Sequence, residues 1–257
     1  MERHGPRTIR VMSYNVHRCV GTDRVLSPER IAKVIQACNP DIVSLQELDV
    51  RRARTGGVDQ AAEIARMLGM EMHFHPAYQV QDEHFGDAIF TALPNRLVRR
   101  GGLPAPIRRR ELERRGALWV EVETPAASLQ VVNTHLGLLA IERSIQVDAL
   151  LGHEWLGDPL CHKPVLLMGD FNAVPRSRAY RRLVRHLKDA NAGRKHGATF
   201  PSRFPFLRLD HIFMSGNITV HSIAPVRNGA TAVASDHLPL VADIEIHPGV
   251  DRRSAIG

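Results

Sequence analysis

Aromatic residues, cysteines and long apolar runs are scarce in this chain of 257 residues. Aromatic residues make up 5% of it, and its three cysteines, Cys19, Cys38 and Cys161, are widely spaced. Their odd number and spacing argue against a disulfide framework or a thiolate metal site and predict reduced thiols in a cytoplasmic protein. No run of about 18 apolar residues occurs, so we predict no membrane-spanning helix. The first residues lack the pattern of a signal peptide.

Lysine is also scarce. Only four of the 34 basic residues are lysines, so arginine dominates, and 27 acidic residues leave a formal net charge of +7. A basic surface attracts polyanions such as nucleic acid, anionic headgroups or phosphorylated small molecules. The base composition of the source genome is an alternative explanation of the arginine content. The charge therefore supports a phosphate-bearing partner without establishing one.

Hydrophobic residues make up 44% of the chain, which is enough to form a large core. The length fits one large sandwich or barrel domain as well as two small domains. Because we find no linker and no repeat, we predict a single domain over residues 1–257, with a core over 7–247 and a frayed tail over 248–257.

Apolar periodicity predicts alternating strands and helices. Ser27 and Pro28 are typical of a helix start, and Asn39 followed by Pro40 of a helix end. The predicted strands cover residues 8–16, 41–48, 86–93, 117–124, 128–137, 164–172, 209–216 and 238–247, and the predicted helices 27–40, 60–70, 142–156 and 177–190. Some neighbouring strands have no helix between them, which predicts an α/β sandwich of mixed sheets flanked by helices.

Polar residues end six of these segments, as in "LLMGDFNAVP". The residues are Asn15, Gln46, Glu47, Asn133, His135, Asp170, Asn172, Asp210, His211, Ser235, Asp236 and His237. Ligand sites of α/β folds gather at strand ends, and a polar group within an apolar run costs free energy unless it is paired. One such residue alone is more typical of a turn or a helix cap. Six segments together indicate side chains that pair with each other or with an ion.

The residue types in these segments indicate a chemistry. Carboxylates and amides without sulfur ligands suit Mg²⁺, Mn²⁺ or Ca²⁺ better than zinc. Histidines beside acids serve as general acids, general bases or phosphate ligands. In a basic protein, this combination predicts metal-assisted hydrolysis of a phosphate ester.

The segments "SYNVH", "PDIVSLQEL", "VVNTHLG", "MGDFNAVP", "RLDHIF" and "SDHLPL", in this order, resemble the endonuclease/exonuclease/phosphatase superfamily. Each segment alone is weak, whereas "GDFN" followed by "SDH" is fairly specific. This superfamily includes pancreatic deoxyribonuclease, apurinic endonucleases, bacterial sphingomyelinases and deadenylases. The resemblance implies a four-layer α/β/β/α sandwich of two mixed sheets.

The resemblance also implies a metal site. Glu47 would be the main ligand of Mg²⁺, with Mn²⁺ or Ca²⁺ as alternatives. Asn15 would lie close to the ion, and Asp236 would lie beside it, directly or through water. The number of ions, one or two, stays open.

The catalytic residues follow from the same resemblance. Asp170 would orient or deprotonate the attacking water, and Asn172 would hold a phosphate oxygen or position Asp170. His237 would contact the scissile phosphate with Asp210 as its pairing acid. His135 would bind the phosphate or protonate the leaving oxygen.

Substrate contacts are expected from Arg115, preferred over Arg114, and from Asn133. Asp87 stands where the family usually has asparagine, and we expect that it pairs with His135 and raises the pKa of that histidine.

Six further histidines are interpreted as structural or surface residues. His211 alternates with Asp210 along its strand, so we expect it to face the opposite side. The six are His17, His73, His75, His84, His153 and His211.

The sequence favours a Mg²⁺-dependent phosphodiesterase of the nuclease type, with a phosphate-ester substrate and nucleic acid as a candidate partner. The enzymatic alternative is a phosphatase or phosphodiesterase acting on a lipid headgroup or a phosphorylated small molecule. A catalytically silent phosphate-binding module is the alternative outside enzymes. We predict no stable membrane insertion and no protein partner, while the substrate and the oligomeric state stay open.

Overall fold

Two six-stranded β-sheets form the centre of the computed structural model, which describes residues 8–106, 112–194 and 197–247. Both sheets are mixed and flanked by helices, so the four-layer sandwich implied by the sequence motifs is confirmed. The predicted tail over 248–257 lies outside the described residues. Within the described ranges, no helix is both long and apolar enough to cross a membrane.

The first sheet has the strand order β11-β12-β1-β2-β4-β3. Its strands are β1 (Thr8–Asn15), β2 (Ile42–Val50), β3 (Glu71–Val80), β4 (Glu83–Thr91), β11 (Ile218–Pro225) and β12 (Leu240–Ile246). The central strands β1 and β2 are parallel, and all other pairs are antiparallel. Helix α1 (Pro28–Cys38) makes the crossover between β1 and β2. As predicted, Ser27 caps α1, since its side chain accepts a hydrogen bond from the Arg30 backbone N–H.

The second sheet has the order β5-β6-β7-β8-β10-β9. Its strands are β5 (Asn95–Gly102), β6 (Gly116–Glu123), β7 (Ser128–His135), β8 (Val165–Asp170), β9 (Lys188–Asp189) and β10 (Asp210–Ser215). Again one central pair, β7 and β8, is parallel, and helix α3 (Ala140–Leu150) connects the two strands. The remaining helices are α2 (Gln60–Leu68), α4 (Arg178–Leu183) and α5 (Gly229–Ala234).

Three layers of apolar side chains hold the sandwich together, because successive residues of a strand face opposite sides. Val11 and Leu166 pack between the two sheets. Met12 packs under the helices that cover the first sheet, and Leu167 packs under those that cover the second. Each such buried side chain contributes about 1.5–3 kcal/mol to folding. The central strands are therefore fixed from both faces.

The two parallel pairs bring four strand ends to one end of the sandwich. Asn15 ends β1 and Asp170 ends β8, and a hydrogen bond of 3.0 Å joins them across the two sheets. His135, the last residue of β7, lies opposite Asp170 in the strand register. The fold thus collects polar residues that are more than a hundred positions apart in the chain.

Two helices end earlier than the apolar pattern predicts. The helix expected over 142–156 is α3, which ends at Leu150, and the helix expected over 177–190 is α4, which ends at Leu183. Lys188 and Asp189 instead form the short strand β9. An arginine-rich amphipathic segment can continue as an edge strand when a sheet offers it backbone partners, which a sequence pattern does not reveal.

Candidate active site

Asp170 lies at the centre of the polar cluster and is 1% exposed. Its Oδ2 accepts a hydrogen bond from Asn15 Nδ2 at 3.0 Å, and its Oδ1 accepts one from the Asn172 backbone N–H at 2.9 Å. The same Oδ2 is 3.5 Å from His135 Nε2 and 3.6 Å from His237 Nε2. One carboxylate thus lies within reach of two histidines.

A glycine before Asp170 makes this position possible. A Cβ at Gly169 would lie 1.8 Å from the Thr134 carbonyl oxygen, and the φ angle of Gly169 is 149°. Only glycine therefore allows β7 and β8 to approach so closely at the site. This is the structural reason for the glycine in "GDFN".

Burial raises the pKa of Asp170 to about 6, while the charge of His237 and the hydrogen bonds from Asn172 and Asn15 act in the opposite direction. A carboxylate with a pKa close to neutrality is ionised at physiological pH and still basic enough to accept a proton. Asp170 is therefore suited to the role of a general base.

His237 is held as a charged donor. Its Nδ1 lies 2.8 Å from Asp210 Oδ2, and the Thr199 hydroxyl donates to the same oxygen at 2.5 Å. Burial acts to lower the pKa of His237, but Asp210 and Asp170 together raise it to about 10. At neutral pH the ring is an imidazolium, whose Nε2–H is directed toward Asp170.

His135 has the opposite state although it is equally buried. Its Nδ1 accepts a hydrogen bond from Arg115 Nη1 at 3.0 Å. Burial lowers the pKa of His135 well below its ordinary value, and the charges of Arg115 and His237 lower it further. The ring is therefore neutral, and since Nδ1 is an acceptor, its proton is on Nε2, which lies 3.5 Å from the acceptor Asp170 Oδ2.

The expected pairing of Asp87 with His135 is wrong, because the Nδ1 of His135 binds Arg115 and its Nε2 faces Asp170. The pKa of His135 is accordingly lowered, by burial and by the charge of Arg115, and not raised. Asp87 Oδ1 instead accepts a weak hydrogen bond from the Glu47 backbone N–H at 3.4 Å. Burial raises the pKa of Asp87 to about 7, opposed mainly by the charge of Arg115. Asp87 therefore supports the backbone that carries Glu47.

Glu47 is turned into the site by its backbone. It lies in a register shift of β2 between Leu45 and Leu48, with a φ of 62°. Such a left-handed conformation is strained for a residue with a side chain and is typical of functional positions. Its Oε1 accepts a hydrogen bond from Asn15 Nδ2 at 2.9 Å. The Asn15 amide thus links the carboxylates of Glu47 and Asp170.

The donor set fits a hard divalent cation. Glu47 and Asp170 offer carboxylate oxygens on either side of the Asn15 amide, and such oxygens are the preferred ligands of Mg²⁺ and Mn²⁺. Asp170, Asp210 and His237 also bring one ligand atom each within 4.8 Å of one another. In that group Asp210 and His237 already neutralise each other, so Glu47 is the better candidate for the main ligand.

Asp236 and His17 lie on the outer side of the cluster. Asp236 Oδ1 is 3.8 Å from His17 Nδ1, and the His17 backbone N–H donates to Asn15 Oδ1 at 3.0 Å. His17, Arg18 and Cys19 all have positive φ angles, so the chain makes a strained turn directly after Asn15. The sequence pattern indicates a structural or surface role for His17, but the residue lies at the edge of the site.

Asn133 does not line the site as a substrate contact. It is fully buried, and its Nδ2 donates to the carbonyl oxygens of Leu45 and Ala88 at 2.9 Å each. Its Oδ1 accepts from Gln46 Nε2 at 2.8 Å. Because every polar atom of this side chain is engaged between the sheets, Asn133 positions β2, and with it Glu47. Arg115, in contrast, lies in the site beside His135.

The other sequence-based expectations concern residues near the site. His211 faces away from Asp210, as predicted, and its Nε2 contacts the Ala173 carbonyl oxygen at 2.7 Å. Thr199 and Phe200 had no motif to mark them, yet Thr199 supports Asp210, and the Phe200 ring lies 4.9 Å from that of His237. A Phe–Pro pair in a loop gives no sign that the loop folds back onto an active site.

Comparisons with known proteins identify the family of the chain. Residues 12–237 match the model of the Endonuclease/Exonuclease/phosphatase family, so the chain belongs to this family of phosphoester hydrolases. The uncharacterized protein YbhP of Escherichia coli (strain K12) is 26% identical over 265 aligned residues, which cover 93% of this chain and 97% of that protein.

Two solved structures illustrate the shared fold. An endonuclease/exonuclease/phosphatase from Beutenbergia cavernae DSM 12333 has a TM-score of 0.76 at 23% identity, covering 94% of this chain and 72% of its own. The mannosyl-6-phosphatase of Bacteroides thetaiotaomicron VPI-5482 has a TM-score of 0.70 at 20% identity, covering 92% of this chain and 99% of its own. At these identities the likeness establishes the fold alone.

Proposed function

We propose that this chain is a phosphodiesterase that hydrolyses its substrate with the help of Mg²⁺, for which Mn²⁺ or Ca²⁺ can substitute. The observation that carries the proposal is the position of Asp170 between two histidines of opposite protonation state. The site thus combines a base (Asp170), a fixed positive charge (His237) and a neutral hydrogen-bond donor (His135). Such a combination suits in-line attack of water on a phosphate.

Asp170 would accept the proton of the attacking water, since its pKa of about 6 leaves it ionised at neutral pH. His237, kept protonated by Asp210, would stabilise the negative charge that grows on the phosphate oxygens. Asn172 and His135 would bind a phosphate oxygen from the opposite side. Arg115 would hold His135 in place and supply a further positive charge.

Glu47 would hold the divalent cation, with Asn15 and Asp236 close by. When bound, the cation would supply positive charge to the phosphate and lower the pKa of the attacking water. The Asn15 amide donates to Glu47 and Asp170, so it fixes the separation between the cation-binding carboxylate and the base.

Hydrolysis of bis-p-nitrophenyl phosphate, p-nitrophenyl phosphate and plasmid DNA, each with Mg²⁺, Mn²⁺ or EDTA, tests this function. We expect metal-dependent cleavage of the diester and the plasmid that is lost with EDTA and in Glu47→Gln. Glu154→Gln, which removes the same charge from an exposed position, should leave the rate unchanged. Diester cleavage that persists in EDTA would contradict the metal-assisted mechanism.

A lipid headgroup is the second candidate substrate, and one observation favours it. The loop between Phe200 and Leu207, closed by a strand-like bridge, leaves Phe204 77% and Phe206 72% exposed. The same loop begins at the Phe200 ring beside His237. Exposed aromatic side chains next to a phosphate site suit contact with a membrane surface.

Sphingomyelin and phosphatidylglycerol vesicles separate the two candidates. If a lipid is the substrate, vesicle hydrolysis should exceed diester hydrolysis and fall in Phe204→Ser/Phe206→Ser. If only the monoester p-nitrophenyl phosphate is cleaved, a phosphorylated small molecule becomes the better candidate, in line with a mannosyl-6-phosphatase of the same fold.

A further inference from the structure

Four arginines form one face of α4 and the turn that follows it. Arg178, Arg181, Arg182 and Arg185 are spaced by three, one and three residues, so they lie on the same side of the helix. All four are exposed, and together they line a surface cavity of about 300 Å³. We refer to these residues as the α4 arginine face.

Repulsion within the α4 arginine face is poorly compensated. Like charges three and four residues apart on a helix are destabilising. Over the described ranges, the only ion pair of these four arginines is that of Arg182 with Asp148. Because the cluster costs stability without an anion beside it, its structure favours a ligand that supplies negative charge. Guanidinium groups bind phosphate oxygens in pairs, so phosphate is the matching chemistry.

The α4 arginine face belongs to a helix that is packed against the second sheet. On the opposite side of α4, Ala179 and Leu183 are buried in the core under the second sheet. The Tyr180 hydroxyl donates to Asp189 Oδ2 at 2.6 Å, which fixes the helix further. The arginines are therefore held by a packed helix and not by a loose loop.

The chain also limits how far this face can be from the scissile bond. Arg178 is six positions after Asn172 in the chain, which corresponds to at most about 20 Å of extended chain. Exposed Arg176 lies in this connection. One strand of DNA presents a phosphate about every 3.4 Å along the axis. The α4 arginine face is therefore within a few nucleotides of the active site along a bound strand.

We propose that the α4 arginine face binds the phosphodiester backbone of a nucleic acid, at phosphates a few nucleotides from the one that is cleaved. The inference rests on the proposed phosphodiesterase function and specifies its substrate. A long polyanion can occupy the active site and this face at once, whereas a small ester occupies only the active site. The face would therefore select polymers by charge and without reading their sequence.

Arg181→Gln/Arg185→Gln tests this proposal, because neither arginine has an acidic partner in the described part of the chain and glutamine is a good helix former. The control, Lys33→Gln/Arg66→Gln, removes two positive charges from α1 and α2, which cover the other sheet. Thermal melts should show that both variants fold.

The readout is the affinity for a fluorescent single-stranded and a duplex oligonucleotide at several NaCl concentrations, measured by anisotropy. Removing one arginine–phosphate interaction should reduce the slope of log K against log salt by about 0.9 on duplex DNA and about 0.7 on a single strand. Because Arg181→Gln/Arg185→Gln removes two arginines, we expect a reduction of up to twice this size in that variant, about 1.8 on duplex DNA and about 1.4 on a single strand, and none in the control. Hydrolysis of bis-p-nitrophenyl phosphate should be unchanged in both.

An unchanged salt slope, or an equal reduction in the control, would overturn the proposal. Binding to phosphatidylglycerol vesicles that depends on Arg181 and Arg185, without oligonucleotide binding, would overturn it in favour of a membrane surface. Because the affinity measurement needs no turnover, a failure of the proposed hydrolysis in all variants is distinguishable from a failure of this inference.

Discussion

The Arg115 side and the Asp210 side of the active site hold two histidines that are alike in burial and opposite in charge. His135 is 3% exposed and His237 is 5% exposed, and their Nε2 atoms lie at almost equal distances from Asp170 Oδ2. Yet the pKa of His135 is well below its ordinary value, and that of His237 is about 10.

The difference shows that burial alone does not decide the protonation state, because the neighbour at Nδ1 either adds to its effect or opposes it. Burial acts to lower the pKa of both histidines. At His135 the Nδ1 partner is the guanidinium of Arg115, which adds to the effect of burial. At His237 the partner is the carboxylate of Asp210. Together with Asp170, it raises the pKa of His237 by more than burial lowers it. One site thereby gains a charged donor and a neutral one.

Removing Asp170, the carboxylate between the two histidines, should reduce kcat more than the loss of the Nδ1 partner of either histidine. Asp170→Asn keeps the shape of the side chain but removes the proposed base, so we expect a fall in kcat on the order of 10⁴-fold. The thermal melt should stay close to that of the wild type, because a buried charge is exchanged for an isosteric amide. Diester hydrolysis and circular dichroism measure the two quantities, and an active Asp170→Asn would contradict the assignment of the base.

Breaking the Asp210 side should have the next largest effect. In Asp210→Asn, His237 loses the acid that raises its pKa, so we expect the ring to deprotonate near its ordinary value and kcat to fall about 10²-fold. NMR titration of the His237 ring in EDTA-treated protein measures the pKa. Thr199→Val, which keeps the carboxylate, should leave His237 protonated at neutral pH. A His237 pKa that is the same in Asp210→Asn and the wild type would disprove the pairing.

Removing the hydrogen bond between Arg115 and His135 should reduce activity less, since this bond only positions the histidine. In Arg115→Gln we expect the pKa of His135 to rise and kcat/KM to fall about 10-fold. Glu113→Gln is the control, because Glu113 also binds Arg115 Nη1, at 3.0 Å, but is partly exposed. If kcat/KM and the pKa of His135 changed equally in the two variants, Arg115 would not act through its hydrogen bond to His135.

A third histidine, His211, also has a pKa that burial lowers, and we expect this shift to affect the stability of the fold and not catalysis. His211 is fully buried away from the catalytic groups, and burial, together with the charge of Arg208, lowers its pKa to about 4. Between pH 4 and 6.5 the unfolded chain therefore binds more protons at this position than the folded protein, so stability falls as the pH falls through this range. The decrease should be on the order of 3 kcal/mol.

Urea unfolding at several pH values measures this decrease. His211→Phe should be less stable at neutral pH, because phenylalanine cannot donate to the Ala173 carbonyl oxygen, but its stability should depend less on pH between 6.5 and 4. An equally steep dependence in the variant would place the acid sensitivity at other groups.

The central strands were predictable from the sequence, and the edge strands were not. Every strand that the apolar pattern missed is at a sheet edge, namely β3, β5, β9 and β11. β3 contains Pro76, β5 contains three arginines, and β3, β5 and β11 each have a register shift. Edge strands are exposed and carry such irregularities because these prevent pairing with other chains, so they lack a clear apolar alternation.

The sequence by itself determined which residues are chemically competent. Buried strands ending in "GDFN" and "SDH" marked Asp170, Asn172, Asp236 and His237, since polar groups in apolar runs need partners. It also determined the fold class, because a layered α/β arrangement follows from the order of the elements and from the family motifs.

Only the tertiary structure decided the partners of these residues. Asn133, expected as a substrate contact, ties the two sheets together, and Asp87 supports the Glu47 backbone instead of pairing with His135. Thr199, which belongs to no motif, completes the Asp210–His237 pair. Protonation states and hydrogen bonds depend on distances of a few ångströms between segments far apart in the chain, and those distances are set by how two sheets pack.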